Sequence, residues 1–197
     1  RYGFGNDAEE YIQKFYDFLI LFETNNAHRR APNSRIYVER LLSSMLPTDV
    51  PRSDARLIEE ALKGIATAYD LTLRQVESIV TNVILAFLTV GEGQFRPVTV
   101  ICFLAALKAL RPDLYVTAKR GRFNIVGFRE FLDTGAWPSD FKGGGMIDWF
   151  SYFADPEIDL ADPRYSRFSE GLGRYSFDDR LDVLPFLANA YVDQFAR

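Results

Sequence analysis

Cysteine and histidine are nearly missing from these 197 residues: Cys102 and His28 stand alone. A lone cysteine forms no intramolecular disulfide, and the two residues together cannot furnish the ligands of a Cys/His zinc site. Cys102 lies in an apolar run, so the buried, reduced thiol of a cytosolic protein is expected. Long apolar runs are missing as well. The longest, Ile79–Val90 and Val98–Leu107, fall short of the ~20 residues a membrane helix needs, and no signal peptide is visible. Charge of one sign is concentrated nowhere: 23 basic and 27 acidic residues leave a net −4. Nucleic-acid binding, which rests on a basic face, is therefore not expected. No stretch reads G-x-x-x-x-G-K-S/T, so the chain lacks a backbone cradle for a nucleotide's phosphates. Arg1 stands where a methionine would open a chain, so a fragment or a processed product is expected.

What the chain has in quantity is apolar and aromatic mass. Apolar residues make up 48%, with 17 Phe and 10 Tyr, which supplies a core and argues against disorder. Helical spacing runs through the first two thirds. Asn6 or Asp7 can cap a helix opening at Ala8, with Tyr11, Phe15, Phe18 or Leu19, and Phe22 on one stripe. Glu23–Asn33 is polar and reads as a loop. Ser34 is expected to cap a helix carrying Ile36, Val38, Leu41, Leu42 and Met45, stopped by Pro47. Ser53 is expected to cap the next, with Leu57, Ile58, Leu62, Ile65 and Tyr69 on one face. Thr72 and Gln75 have capping-box spacing and open a helix that ends near Gly91. Its second half, Ile84–Val90, is apolar nearly all round. Pro97 suits the first turn of a further helix, Val98–Leu110, which is almost wholly apolar and ended by Arg111-Pro112. Helices apolar all round belong at the centre of a bundle.

Beyond residue 119 the pattern shortens. Lys119-Arg120-Gly121-Arg122 reads as a basic turn, Val126–Leu132 as a short helix and Gly143-Gly144-Gly145 as a hinge. Met146–Phe153 reads as a short aromatic helix, Asp155–Asp162 as an acidic loop, and Leu181–Phe195 as the last helix. No run alternates as a strand would. The expected fold is all-α, an irregular bundle of about seven to nine helices, divided into residues 1–118 and a C-terminal part, 119–197, packed on it or separate from it.

Several residues could carry chemistry. Arg74 stands at the first turn of its helix. It can present a planar, permanently charged guanidinium to a nucleotide's phosphates, or it can be a surface residue pairing with Glu77. The acidic residues Glu59-Glu60, Asp178-Asp179 and Asp155, Glu157, Asp159 and Asp162 could flank a substrate for acid–base work. The last group lacks the glycine turn and terminal glutamate of a calcium loop, and solvated loop charge is the expected reading. His28, Ser34, Ser43, Ser44 and Ser53 assemble no nucleophile–base pair by motif, so no catalytic or metal-binding residue is expected. Arg29 and Arg30, and the Lys119–Arg122 turn, are small basic spots that could meet phosphate, an acidic partner or a membrane surface, or simply water. The aromatic group Trp137, Phe141, Trp149, Phe150, Tyr152 and Phe153 reads either as a satellite core or as a surface docking a protein partner, with Trp137, Phe141, Trp149, Phe150 and Phe153 as its contacts.

The stretches Leu71–Ser78 (LTLRQVES) and Leu110–Tyr115 (LRPDLY), with the apolar helices between them, resemble the lid region of KAP-family P-loop NTPases. The opening Arg1–Phe15 (RYGFGNDAEEYIQKF) is similar to that family's segment just after the nucleotide-binding core. Tyr2, Gly3, Asp7, Ala8, Tyr11, Lys14 and Phe15 match, and Ile12 replaces a leucine. The likeness covers roughly residues 1–118 and none of 119–197. It implies an upstream core with Walker A and B motifs that binds ATP and Mg, with no cofactor in this chain itself. It also implies that Arg74 senses nucleotide state, and that the setting is bacterial or phage-type, in the cytoplasm or beside the inner membrane. The expected role is then a helical lid that couples nucleotide state to partner binding. The alternatives are a self-standing helical interaction module and, further off, a hydrolase built on the acidic loop.

Overall fold

Prolines, glycines and a few polar side chains cut the chain into short helices. The computed structural model describes residues 31–48, 50–89, 95–138, 144–172, 177 and 179–193. The Tyr2–Phe15 segment, His28, Arg29, Arg30, Phe141, Gly143, Asp178 and Phe195 lie outside them. Among the described residues the fold is all-α. The helices are α1 (Ala31–Met45), α2 (Arg52–Ala68), α3 (Leu73–Thr89), α4 (Val98–Leu110), α5 (Pro112–Lys119), α6 (Ile125–Asp133), α7 (Gly144–Ala154), α8 (Pro163–Leu172) and α9 (Val183–Leu187). A 3-10 turn (Arg180–Asp182) precedes α9, and a π turn (Ala188–Val192) continues it. The chain divides into two units, Arg1–Asn33 and Ser34–Arg197; the description below concerns the second.

Helix α4 is the hub. Every residue from Val100 to Leu107 is buried, and α2, α3, α5, α7 and the π turn all pack on it. A helix without a polar face has to be surrounded, since each Leu, Ile or Phe side chain left in water forfeits about 1.5–3 kcal/mol. Cys102 lies within it, fully buried, and burial pushes its thiol pKa up. The apolar end of α3 behaves differently. Ile84, Ala86 and Phe87 are buried, but Leu88 is 58% exposed, so that segment is not surrounded as its composition suggests.

Several local expectations need correction. Ser34 is buried inside α1 rather than capping it. In that helix Tyr37, Val38 and Leu42 face inward, whereas Ile36 is exposed. Ser53 likewise lies inside α2; Pro51, in extended conformation, holds the N-cap position, and the Ser53 hydroxyl turns to Asp54. Gly144 and Gly145 are helical, not a hinge, in a helix whose Met146, Phe150 and Phe153 form a buried stripe. Helices α5 and α8 were not expected. Each opens on a proline, Pro112 and Pro163, which ends one segment and suits the first turn of another. The expected Leu181–Phe195 helix begins as a 3-10 turn and widens to a π turn closed by Asp193 N–H donating to the Ala188 carbonyl at 3.0 Å.

The packing runs straight across position 118. The Tyr115 hydroxyl on α5 donates to the Ala188 carbonyl at 3.1 Å, and Lys108 on α4 donates to the Val192 carbonyl at 2.9 Å. Phe103 of α4 meets Phe128 of α6 edge-to-face at 6.5 Å, and Phe128 packs on Phe150 of α7 at 4.3 Å.

Candidate functional site

The segment that places Arg74 is built from two adjoining caps. Helix α2 ends in a Schellman motif: Leu71 N–H donates to the Ala66 carbonyl (3.2 Å) and Asp70 N–H to that of Thr67 (3.4 Å). This geometry puts Asp70 in the left-handed region at φ 44, which aspartate tolerates better than most side chains. Leu71, the next residue, is buried beside Leu62 and Ala66. Helix α3 then opens at once with the expected capping box. Thr72 N–H donates to Gln75 Oε1 at 3.0 Å, and Gln75 N–H donates back to the Thr72 hydroxyl at 3.3 Å. Thr72→Ala should therefore cost about 1 kcal/mol, read as a lower urea midpoint with an unchanged slope. A shift too small to resolve would mean the box does not hold the helix start.

Arg74 is the second residue of α3 and is exposed. The Glu77 pairing is not formed, and among the described residues no carboxylate lies within ion-pair distance of its guanidinium. A cation there stands at the positive end of the helix dipole, which by itself costs a few tenths of a kcal/mol. The position is thus unfavourable for folding and open to an anion from outside.

A brace from the C-terminal part holds the same turn. Ala136 N–H donates to the Ala68 carbonyl at 2.8 Å, satisfying the end of α2. Tyr69 stacks on Phe131 at 4.5 Å, meets Trp137 edge-on at 5.5 Å, and donates its hydroxyl to the Phe131 carbonyl at 3.0 Å. Trp137 in turn donates its indole N–H to the Leu132 carbonyl at 2.8 Å and stacks on Phe103. A Cβ added at Gly135 would sit 2.8 Å from that indole nitrogen and 3.2 Å from Ala68, so the closeness of the brace requires glycine. Burial, with the nearby Asp133 charge, pushes the Tyr69 hydroxyl pKa up, which keeps it a donor.

The remaining aromatic candidates are placed mainly inside. Phe150, Tyr152 and Phe153 are buried. Trp149 is half-buried, packed on Phe168 at 4.1 Å and Phe153 at 5.3 Å. Trp137 and Trp149 therefore offer edges, while Phe150 and Phe153 serve the core.

The acidic loop does not gather into a site. Asp155, Asp159 and Asp162 each turn a carboxylate oxygen onto a backbone N–H two residues on, and Asp162 also pairs with Arg164 at 2.7 Å. Glu59 pairs with Lys63, Glu60 with Arg56 at 3.6 Å, and Asp179 accepts from Leu181 N–H. Among the described residues no three His, Cys, Asp or Glu side chains could share a metal ion. The sequence likewise contains no G-x-x-x-x-G-K-S/T stretch. No helix among the described residues is long and apolar enough to cross a membrane.

The Lys119–Arg122 turn separates into individual roles. Lys119 joins Lys108 on Asp193, at 2.5 and 2.9 Å, with the Tyr115 hydroxyl alongside. Arg122 lies at the edge of a cleft. Asp193 and Arg180 were not singled out from the sequence, and Tyr69 was read only as part of a helix face. Their side-chain partners lie 25 or more residues away, beyond the reach of any local pattern. No protein-family model, curated protein or solved structure matches the chain.

Proposed function

We propose that this chain is the C-terminal helical lid of a KAP-like P-loop NTPase, not catalytic alone, which reads the nucleotide state of an upstream core through Arg74. The observation that carries this is Arg74 itself: exposed, unpaired among the described residues, and set at the positive end of a helix start that two interlocking caps hold in place. Side chains that break a local stability rule without a compensating partner mark sites kept for another purpose. A guanidinium there offers planar, charge-assisted donors to phosphate oxygens that the core would present. ATP and Mg would be held by that core and not by this chain. The brace through Ala136, Tyr69 and Trp137 supplies a route by which movement of the lid would reach residues 119–197 and a partner bound there. The setting this reading implies is bacterial, in the cytoplasm or beside the inner membrane.

The test is ATP hydrolysis by the full-length protein. Arg74→Ala should lower turnover ~100-fold, in the range seen when one preorganised charge donor is removed, while thermal stability stays level or rises slightly. Unchanged hydrolysis and ATP affinity would reject the assignment. The competing reading, a self-standing module docking a protein through the aromatic group, loses two of its contacts to the interior in Phe150 and Phe153.

A further inference from the structure

Helix α2 ends at Ala68 and α3 begins at Leu73, so residues 69–72 form the whole junction and Arg74 follows two residues later. The two caps leave that junction little freedom of its own, so the place of Arg74 depends on what holds Ala68 and Tyr69. They are held by a strap from far along the chain, residues 134–137. The strap is anchored first on α6. The Thr134 hydroxyl donates to the Phe131 carbonyl at 2.7 Å, and Gly135 N–H and the Trp137 indole N–H both donate to the Leu132 carbonyl, at 3.1 and 2.8 Å. The Trp137 ring also lies on Phe103 of the central helix, with centroids 5.9 Å apart. From these anchors the strap reaches the junction through Ala136 N–H on the Ala68 carbonyl.

The Tyr69 hydroxyl is not needed to satisfy its acceptor. A carbonyl oxygen has two lone pairs, and that of Phe131 already takes both the Thr134 hydroxyl and the Thr134 N–H, the latter at 3.2 Å. A third donor at 3.0 Å adds little stability, but it fixes where the ring lies, nearly coplanar with Phe131 at 4°. Gly135 is the second constraint, since a Cβ there would push the strap away from Ala68 or displace the Trp137 indole. Residues beyond 119 thus grip the junction that presents Arg74 without touching Arg74 itself.

We propose that the strap of residues 134–137 sets the position of the Arg74 guanidinium, with Tyr69 and Gly135 as positioning residues, so that the C-terminal part controls how the lid answers nucleotide. This rests on the reading of Arg74 as the nucleotide sensor. A misplacement of ~1 Å at a group that stabilises charge costs up to ~100-fold in rate, which a shift of this junction delivers with Arg74 itself unchanged.

The test is a double-mutant cycle in ATP hydrolysis by the full-length protein, with kcat measured for Arg74→Ala, for each strap variant and for each pair. Gly135→Ala should lower kcat ~10-fold and Tyr69→Phe ~3-fold when Arg74 is present. In the Arg74→Ala background neither should lower it further, because a residue that acts through Arg74 then has nothing to position. Tyr69→Phe keeps the stacked ring and leaves the Phe131 carbonyl its two Thr134 donors, so its urea midpoint should not move. It decides the matter even if Gly135→Ala fails to fold. Where Arg74→Ala lowers kcat, strap losses that multiply with it would show support of the fold alone and overturn the proposal, as would an unchanged kcat in Tyr69→Phe. Hydrolysis indifferent to Arg74→Ala would instead remove the sensor reading, and this inference with it.

Discussion

Phe128→Ala should destabilise the protein by about 4 kcal/mol, in the middle of the range for a buried phenylalanine. Phe128 is fully buried on α6, with Phe150 at 4.3 Å, Phe123 at 5.3 Å and Phe103 at 6.5 Å. Its removal loses the transfer free energy of the ring and leaves a void bounded by helices that are themselves held elsewhere, so collapse into the space is limited. The location matters as much as the size. Phe103 belongs to α4 and Phe150 to α7, so the cavity falls where the helices before position 118 meet those after it. The loss should therefore appear as one transition, with tryptophan fluorescence and far-ultraviolet circular dichroism moving to the same lower urea midpoint. Separation of the two probes in the variant would show that the two parts unfold independently. A shift under about 1 kcal/mol would show that the aromatic junction is not well packed.

Asp193→Ala should cost about 2 kcal/mol, with a pH dependence that identifies the carboxylate as the source. Asp193 is mostly buried and accepts from Lys108 and Lys119, the more exposed of which contributes little. Truncation leaves the Lys108 ammonium next to the Val192 carbonyl without its counter-charge. Burial by itself would raise the Asp193 pKa, but the hydrogen bonds from Lys119 and Lys108 outweigh it and hold the carboxyl below its ordinary 3.8. A carboxylate whose pKa is lowered by folding contributes its full stability above the unfolded value. That contribution is lost as pH falls through the folded one. The stability gap between the natural protein and Asp193→Asn should thus be flat from neutral pH to about 5 and close below about 4. A gap that persists or widens in acid would mean that the ionised carboxylate is not what holds the π turn in place.

The legible parts of this protein were those in which cause and consequence lie within one or two helical turns. The Thr72–Gln75 box appears as its spacing implies, and α4 is buried because it has no polar face to turn outward. Where local signals competed, the reading failed. Ser34 and Ser53 are good cap residues, but both lie inside their helices, and Pro51 holds the N-cap position before Ser53. Gly144 and Gly145 disfavour a helix by roughly 1 kcal/mol each, yet burial of Met146, Phe150 and Phe153 overrides that cost. The same holds for Ile84–Val90, whose composition promised a surrounded helix although Leu88 faces water.

Composition and periodicity by themselves determined an all-helical chain with an almost wholly apolar central helix, one capped helix start carrying Arg74, and no phosphate-binding loop. Only the tertiary structure decided that Arg74 has no partner among the described residues, that Trp137 braces the turn before it, and that Lys108 and Lys119 converge on Asp193. The division has a physical reason. Helix formation is governed by contacts three and four residues apart, which a sequence displays directly. Whether a charge is satisfied or a hollow is left open depends on side chains brought together from distant segments. That juxtaposition follows from how the apolar faces pack, and no spacing along the chain records it.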